Sequence, residues 1–386
     1  MGHHPEGETK DHTGKESDVS HKLSLREVTK DYHGVRVLSV PELDVREGEF
    51  FSLLGPSGSG KTTTLKLIAG FEALTTGSIE IDGRDVAPVP VEKRNIGVVF
   101  QNYALFPHMT VAQNIAFPLE TRRVPRPEIA RRVAEVLELV DLAPHRDKNA
   151  ALLSGGQQQR VAIGRTLVFE PSLLLMDEPL GALDRKLRQR LQEELRALQR
   201  KLGITVVYVT HDQDEAMSMS DRIAIMNHGV VEQLGAPRGL YDRPETLFVS
   251  NFLGDNNTLR AQRSSASSLR FSDGIEVPAP ESAHPAGAAL SVTLRPERVA
   301  LASPVSGPQG ASRLRGTVTD AVALGAITSY SVRVDGIGDL KASVQHSGGD
   351  YFIGAPGDEV LVGWDVEDLH LFADSGGVLD AGLGDD

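Results

Sequence analysis

A glycine-rich stretch, GPSGSGKTT, begins at Gly55 and has the residue types of a phosphate-binding loop. Gly55, four further residues, Gly60, Lys61 and Thr62 fit the GxxxxGK[ST] pattern. Glycines let backbone N–H groups turn towards phosphate oxygens, and a helix that starts after them adds the positive end of its dipole. The stretch follows the apolar run EFFSLLG and opens the helical run TTLKLIAG, as this motif requires. We therefore predict that a nucleotide's phosphates are bound by Gly55, Pro56, Ser57, Gly58, Ser59, Gly60, Lys61, Thr62 and Thr63.

Two adjacent carboxylates, Asp177 and Glu178, follow an apolar run that ends at Met176. A pair of carboxylates at the end of a buried strand is costly unless a cation or a reaction uses it. Beside a phosphate loop, the pair predicts that Asp177 holds Mg²⁺ through water and that the Thr62 hydroxyl ligates the ion. Glu178 is then placed to polarise an attacking water, and the Lys61 ammonium to bind the outer phosphates of ATP. The competing interpretation is a surface Asp-Glu pair that follows a core strand.

A second stretch, LSGGQQQR, has a similar composition and begins at Leu153. Its serine, two glycines and glutamine, Ser154, Gly155, Gly156 and Gln157, suggest another anion cradle at the start of a helix. Without a ligand, the same residues are simply a glycine-rich helix start. The residues alone do not explain why one chain would carry two such cradles.

The elements that must position these residues alternate between strands and helices from about residue 23 to 250. Buried strands are predicted at EFFSLLG, IGVVFQ, SLLLMDE, ITVVYVTHD and RIAIMNHG. Between them, the apolar spacing predicts one helix over PEIARRVAEVLELVDL and another over DRKLRQRLQEELRALQRKLG, which Gly203 ends. This alternation is typical of an α/β domain with a mainly parallel sheet.

The composition changes beyond about Asn251, where glycine, proline and serine become frequent and short runs of alternating apolar and polar residues appear. Residues 251–386 therefore predict a small antiparallel β domain, a barrel or a sandwich. Residues 1–22 are polar, contain several histidines and have little to bury, which predicts a disordered tail.

Composition excludes several classes of protein for this chain of 386 residues. A net charge of −13 argues against a general nucleic-acid binder, and the absence of cysteine excludes disulfides and thiolate metal sites. No apolar run approaches the roughly 18 residues needed to span a bilayer, and the polar start is not a secretory signal. We expect a soluble chain, or one bound to a membrane only through a partner.

The motifs GPSGSGKTT, LSGGQQQR, LLLMDEP and VTHD occur in an order and spacing that resembles the ATP-binding subunit of an ABC transporter. The resemblance runs from about Leu23 to the end of the chain. It implies a P-loop ATPase of the ABC type with a helical subdomain, followed by a small OB-like β barrel. The resemblance also implies why one chain has two anion-binding stretches, because two copies of the family's domain pack head to tail. The signature Ser154–Gln157 of one copy then caps the ATP held by the phosphate loop of the other.

The resemblance also implies roles for residues that their types alone do not identify. Tyr32 would stack on adenine, and Gln101 would touch Mg²⁺ and water at the start of the stretch that senses the membrane partner. We expect the irregular run YALFPHMTV in this stretch to expose its apolar side chains to that partner. His211 would contact the γ-phosphate, and Asp184 would communicate between the two sites. Gly181 stands where many relatives have serine, which puts one hydrogen bond across the dimer in doubt.

The β domain containing LRPERVAL resembles the accessory domain of bacterial-type importers of polyamines, sugars, iron or sulfate, and the polyamine branch is favoured. We therefore expect an ATPase bound peripherally at the cytoplasmic face of the inner or plasma membrane. Its expected partners are a second copy, permease subunits and, indirectly, an extracytoplasmic solute-binding protein, with no nucleic acid. The alternatives are a soluble ABC ATPase of DNA repair or translation, a module that senses ATP without turnover, and an exporter subunit.

Overall fold

A computed structural model of the chain describes residues 21–181, 184–304, 313–346 and 352–374. These form two compact units that divide between Val231 and Glu232. Most of the predicted tail, residues 1–20, lies outside the described residues. His21 and Lys22 belong instead to the first strand, because the backbone there pairs with the neighbouring strand opposite Arg46. The domain boundary near residue 251 stays a prediction.

The first unit contains a sheet of mainly parallel strands. In chain order the strands and helices of this unit are β1 (His21–Tyr32), β2 (Val35–Arg46), β3 (Phe50–Leu54), α1 (Lys61–Ala69), β4 (Thr76–Ile81), β5 (Arg84–Asp85), β6 (Ile96–Val99), α2 (Val111–Thr121), α3 (Arg126–Leu139), α4 (Gly155–Leu167), β7 (Leu173–Asp177), α5 (Arg185–Leu202), β8 (Thr205–Thr210), α6 (Gln213–Met219), β9 (Arg222–Asn227) and β10 (Val230–Gly235). The six-stranded sheet has the order β10-β9-β3-β8-β7-β6, and β9, β3, β8, β7 and β6 run parallel. The second unit begins within β10. All five predicted buried strands are confirmed in this sheet.

A four-stranded antiparallel sheet, in the order β2-β1-β4-β5, accompanies the parallel one. The hairpin between β1 and β2 turns through His33 and Gly34, whose φ angles of 51° and 81° fit the two-residue turn that suits twisted strands. The apolar runs of the sequence predict the mainly parallel sheet but not this second sheet.

Both helices predicted from apolar spacing are confirmed. Pro127 lies in the first turn of α3, and Val133, Val136 and Leu137 face a core shared with α2 and α4. These three helices form the helical subdomain. In α5, Leu191 and Leu195 are buried, and Gly203 ends the helix with a φ of 63°. Leu202, the last leucine of that predicted stripe, is 40% exposed.

The second unit is antiparallel beyond its two short helices. Its elements are α7 (Pro237–Asp242), α8 (Leu247–Phe252), β11 (Asn257–Ser265), β12 (Ser268–Arg270), β13 (Glu276–Pro278), β14 (Ala289–Leu294), β15 (Ala300–Ala302), β16 (Leu314–Ala323), β17 (Ile327–Val334), β18 (Gly338–Gln345), β19 (Glu359–Gly363) and β20 (His370–Ala373). Two five-stranded sheets, β13-β12-β11-β14-β20 and β15-β19-β16-β17-β18, share one apolar core that includes Val292, Val332 and Trp364. This OB-like all-β domain confirms the predicted class. No helix of the described residues is long and apolar enough to cross a membrane.

Candidate functional site

The phosphate loop connects β3 to α1, as the sequence predicts. All five residues of β3 are buried, so the strand is anchored in the core, while Ser57 and Gly58 at the crest of the loop are exposed. A Cβ atom at Gly55 would lie 2.2 Å from the carbonyl oxygen of Met226, which leaves room only for glycine. Gly58 and Gly60 have φ angles of 78° and 100°, a left-handed conformation that glycine adopts without strain.

The N-terminus of α1 has the geometry of an anion site. Gly60 is the N-cap and has no side chain to satisfy the first N–H groups of the helix, which therefore remain available to a ligand. Thr62 and Thr63 lie in the first turn and are half-buried. Oxygen acceptors of a phosphate are the natural partners for such a helix start.

The Lys61 ammonium lies under this loop and is only 5% exposed. It donates hydrogen bonds to the carbonyl oxygens of Gly55 at 2.7 Å and Pro56 at 2.9 Å, and lies 3.4 Å from the Ser59 hydroxyl. Burial lowers the pKa of Lys61, although the carboxylates of Glu178 and Asp177 oppose that shift. The carbonyl and hydroxyl oxygens of the loop thus hold the Lys61 ammonium at its centre.

Asp177 ends β7 beside the phosphate loop. The Thr62 hydroxyl donates a hydrogen bond of 3.2 Å to Asp177 Oδ1, which brings together the two residues predicted to hold a metal ion. Burial raises the pKa of Asp177, the neighbouring Glu178 carboxylate raises it further, and the Thr62 hydroxyl partly offsets both. A carboxylate in this environment gains from a nearby cation. Within the residues that the structure describes, no three histidine, aspartate or glutamate side chains form a metal cluster.

Glu178 lies between two of the residues assigned to catalysis by resemblance. Its Oε1 lies 3.0 Å from His211 Nδ1, and its Oε2 lies 3.5 Å from Gln101 Nε2. The Glu178 backbone has a φ of 44°, a strained conformation for a residue with a side chain. The side chain is 22% exposed and that of His211 is 57% exposed, so water can reach both. One carboxylate, one imidazole and one amide therefore meet at the carboxyl ends of β7, β8 and β6.

Behind His211 lies a buried polar network that the sequence motifs do not predict. The Tyr208 and Thr210 hydroxyls donate to Glu215 Oε2 at 2.7 and 2.9 Å, and the Asp212 N–H donates to the Thr210 hydroxyl at 2.9 Å. Arg188 on α5 donates to Asp212 Oδ2 at 2.7 Å. Both neighbours of His211 are thus fixed by hydrogen bonds. A polar Tyr208 in an otherwise apolar buried strand is the sequence signal that could have revealed this network.

The signature residues lie on another helix, α4. Ser154 is the N-cap and forms a capping box with Gln157. The Gln157 N–H donates to the Ser154 hydroxyl at 3.4 Å, and the Ser154 N–H donates to Gln157 Oε1 at 3.2 Å. Gln157 Nε2 also lies 3.0 Å from His145 Nε2. These described contacts do not include the phosphate loop. Gly156 is buried where a Cβ atom would lie 3.3 Å from Leu191, and Gly155 is half-buried beside it.

Two further predicted residues lie at the ends of elements. Tyr32 closes β1, its ring is 37% exposed, and the Lys30 ammonium lies 4.7 Å from the ring centroid. Asp184 caps α5 by accepting a hydrogen bond of 3.0 Å from the Leu187 N–H. The exposed Tyr32 ring can stack on a base. The Asp184 cap fixes the start of α5.

The stretch after Gln101 is expected to expose its apolar side chains at a membrane-partner contact. For Tyr103 this expectation is wrong, because the residue is 8% exposed and packs into the core. Leu105, Phe106 and Met109 are half-buried, and the Phe106 ring lies 4.4 Å from the Phe117 ring, centroid to centroid. The membrane-partner contact itself stays a prediction.

Comparisons with known proteins identify both units. The ABC transporter family model matches residues 38–181, and the TOBE domain model matches residues 292–372. The spermidine/putrescine import ATP-binding protein PotA of Thermobifida fusca (strain YX) is 49% identical over 359 residues, which are 90% of this chain and 93% of that relative. The protein of the same name from Acidothermus cellulolyticus is 48% identical over 365 residues, covering 91% of this chain and 94% of that relative.

Similarity extends to a more distant relative and to a solved structure. The PotA protein of Thermotoga maritima is 40% identical over 92% of this chain and 98% of its own length. The structure of cbiO1 from Clostridium perfringens, part of the ABC transporter complex cbiONQ, has a TM-score of 0.54 at 30% identity and covers 58% of this chain and 92% of that chain. The chain therefore belongs to the ATP-hydrolysing, ATP-binding subunits of ABC importers, in the group whose ATPase domain is followed by a C-terminal TOBE domain.

Proposed function

We propose that this chain hydrolyses Mg²⁺–ATP in a homodimer and thereby drives polyamine import through a membrane permease. The observation that supports the ATPase site most strongly is the convergence of Thr62 with Asp177, and of Gln101 and His211 with Glu178. The solute is proposed from the relatives, which are named for spermidine and putrescine import. Sugar, iron and sulfate remain the alternative solutes.

The donors beside the phosphate loop fit Mg²⁺, which prefers hard oxygen ligands and keeps phosphate and water oxygens in its shell. Thr62 Oγ1 and Asp177 Oδ1 are the residues that would hold it, with the Gln101 amide nearby. The raised pKa of Asp177 supports this assignment, because a buried carboxylate is stabilised by a cation. When bound, Mg²⁺ would neutralise charge on the phosphate oxygens of ATP.

The protein groups around Glu178 have separate roles in this proposal. The Glu178 carboxylate accepts a proton from the attacking water, and Gln101 orients that water. His211 and Lys61 stabilise the negative charge on the outer phosphates, and the backbone N–H groups of the loop hold the phosphates in place. The exposed ring of Tyr32 stacks on adenine, which is worth about 1–3 kcal/mol for a base on an aromatic side chain.

The proposed assembly explains why Ser154 and Gln157 lie on a helix of their own. We assign their contact with ATP to the partner copy, where the start of α4 completes the site formed by the other copy's phosphate loop. Asp184 then lies at the start of α5 to communicate between the two sites. We propose that the dimer binds the permease at the cytoplasmic face of the membrane and receives solute through an extracytoplasmic binding protein.

Steady-state ATP hydrolysis by Glu178→Gln tests the proposed base. The change keeps the size of the side chain and its contact with His211, but removes the basic group. We expect turnover to fall by about 10²–10⁴-fold, the usual loss for a general base. ATP binding should survive, since Lys61 and Thr62 are untouched. Turnover near that of the unaltered chain would exclude Glu178 as the base, and would favour a different activation of water.

Uptake into proteoliposomes tests the solute. The importer, purified with its own permease subunits and binding protein, is given radiolabelled spermidine, putrescine, maltose, sulfate or iron with ATP inside. We expect ATP-dependent uptake of the two polyamines, and none in matched vesicles that carry Glu178→Gln. Uptake of one of the other solutes instead would replace the polyamine assignment while leaving the ATPase assignment intact.

A further inference from the structure

Arg165, near the C-terminal end of α4, holds the backbone of the stretch that follows Gln101. Its Nη1 donates to the Ala104 carbonyl oxygen at 2.7 Å, and its Nη2 donates to the Tyr103 carbonyl oxygen at 2.8 Å. The guanidinium also lies 5.5 Å from the centroid of the Phe106 ring. Burial lowers the pKa of Arg165. A planar fork bound to two consecutive carbonyls fixes the orientation of both peptide groups.

The two residues that Arg165 holds have an unfavourable backbone conformation. Tyr103 and Ala104 have φ angles of 58° and 45°, the left-handed region that residues with a Cβ atom seldom adopt. Neither is glycine, and they are consecutive. A strained backbone conformation persists only where contacts with the surrounding structure enforce it, and such residues cluster in functional segments. Here the enforcing contacts are the two hydrogen bonds from Arg165 and the burial of the Tyr103 ring.

This contact joins two parts of the proposed site. Gln101 lies two residues before the strained pair, and Ser154 caps the other end of the helix that carries Arg165. An α-helix rises about 1.5 Å per residue, so α4 links them as a short rigid rod.

We propose that Arg165 is a positioning residue, which holds the Tyr103–Ala104 turn in its left-handed conformation and thereby couples Gln101 to the signature at the start of α4. The inference deepens the proposed function and rests on it, because it takes Gln101 and Ser154 as parts of the ATPase site. Displacement of the turn by a bound permease would move α4, and closure of α4 on a partner's ATP would move the turn.

The test is a double-mutant cycle on the full chain, in which ATP turnover is measured for Arg165→Met, Ala104→Gly and the pair. Arg165→Met keeps an unbranched, flexible stem but removes both donors. We expect it to lower kcat about tenfold with the KM for ATP within about twofold, because ATP binds to the phosphate loop and only Gln101 is displaced. Glycine takes a positive φ without penalty, so Ala104→Gly should raise kcat about fivefold in the Arg165→Met chain.

The matched control is Arg131→Met, which removes an exposed guanidinium of α3 whose hydrogen bonds within the described residues go to Glu128 and Glu135 of the same helix. It should leave kcat and KM as they are. If Arg165→Met does not fold, Arg165→Lys, which can still reach one carbonyl, is measured in the same cycle. No recovery of kcat by Ala104→Gly, or a rise in KM as large as the fall in kcat, would overturn the inference.

Failure of the proposed function would look different. Glu178→Gln is measured beside the cycle, and full turnover in that variant would remove the assumed catalytic site. Absence of spermidine uptake by the unaltered importer would remove only the assigned solute. The first result would also remove the catalytic role of Gln101 on which the inference rests. The second leaves the expected coupling between Arg165 and Ala104 unchanged, because that coupling is measured by ATP turnover alone.

Discussion

Asp177 combines an unfavourable environment with an assigned role in holding a cation. Burial and, to a smaller extent, the Glu178 carboxylate raise the pKa of Asp177 above the ordinary value of an aspartate. A carboxyl whose pKa is raised on folding destabilises the folded state wherever it is ionised. The destabilisation is full above the folded pKa and vanishes as the pH falls towards the unfolded value.

Asp177→Asn should therefore stabilise the nucleotide-free chain at pH 7, because the amide can still accept the hydrogen bond from Thr62. We expect the melting temperature to rise by about 2 °C or more, and the difference to shrink at lower pH. The rise in melting temperature that Mg²⁺–ATP produces should be reduced in the same variant, since a ligand stabilises only the state that binds it. Scanning calorimetry at two pH values, with and without Mg²⁺–ATP, measures both effects. A lower melting temperature without nucleotide would show that the carboxylate supports the fold.

Residue types predicted the phosphate loop well, because its glycines and lysine satisfy strict local requirements. The meeting of Thr62 with Asp177 was also predictable, since both follow parallel strands at one edge of a sheet. The burial of Tyr103 was not, because it depends on two left-handed residues that are not glycine. The contact between Gln157 and His145 could not be predicted either, because nothing in the sequence spacing marks His145 as a neighbour of Gln157.

At the scale of elements, the network around Glu215 connects α5 to the loop that carries His211. Arg188 lies one turn after the Asp184 cap and donates to Asp212, which is itself the N-cap of α6. His211 is thus held between two residues whose side chains are already bonded. If Arg188 acts by positioning His211, its loss should matter only while His211 is present.

We expect Arg188→Met to lower kcat about tenfold in the unaltered chain and less than about twofold in a His211→Ala chain, with the KM for ATP unchanged in both. The four turnover rates of this cycle measure the coupling. Tyr208→Phe, which removes one donor to Glu215 and little volume, serves as a milder probe of the same network. Effects of Arg188 and His211 that simply multiply would assign Arg188 a role independent of the imidazole.

Elements differed in how far sequence alone could predict them. The five parallel strands are continuous apolar runs, as strands buried on both faces should be, and they were predicted. The antiparallel pairing of β1 with β4 joins residues about 50 positions apart, such as Leu25 and Ile79, and no local pattern indicates it. In the second unit, β11 buries the polar Asn257 and Arg263 on the same face as Leu259 and Ala261, so its run NTLRAQRSS does not alternate cleanly between apolar and polar residues.

At the scale of the whole molecule, every residue assigned to ATP lies in the first unit. The edge strand β10 ends at Gly235, so a fragment of residues 1–236 keeps all six strands of the sheet that contains the parallel strands. We expect this fragment to bind ATP with an affinity within about threefold of the full chain, because a domain with its own core can fold alone. Isothermal titration calorimetry on both proteins measures it. A fragment with normal circular dichroism but no ATP binding would show that the second unit is needed to form the site.

In the proposed homodimer, the signature residues of each copy contact the ATP bound by the other copy. A dimer of two differently altered chains tests this arrangement. Ser154→Asp keeps the cap of α4, since aspartate caps helices as well as serine, but directs a carboxylate at the partner's phosphates. Lys61→Ala removes the ammonium under the phosphate loop. If the signature acts on the partner's ATP, a dimer with one change in each chain has both lesions at one site and an intact second site. If it acts within its own chain, both sites of that dimer are damaged.

We therefore expect mixed dimers to recover up to about half of the normal turnover per dimer if the two sites act independently, while each homodimer loses about tenfold or more. Differently tagged chains, purified by two affinity steps, isolate the mixed species, and Ser154→Thr is the control that keeps a hydroxyl cap. The two sites could also depend on one another, which would silence a dimer with a single intact site. A dimer of Ser154→Asp with an unaltered chain has one intact site under either arrangement and measures that dependence directly. Mixed dimers that are inactive while this reference dimer turns over ATP would place the signature in the same chain as the phosphate loop it serves.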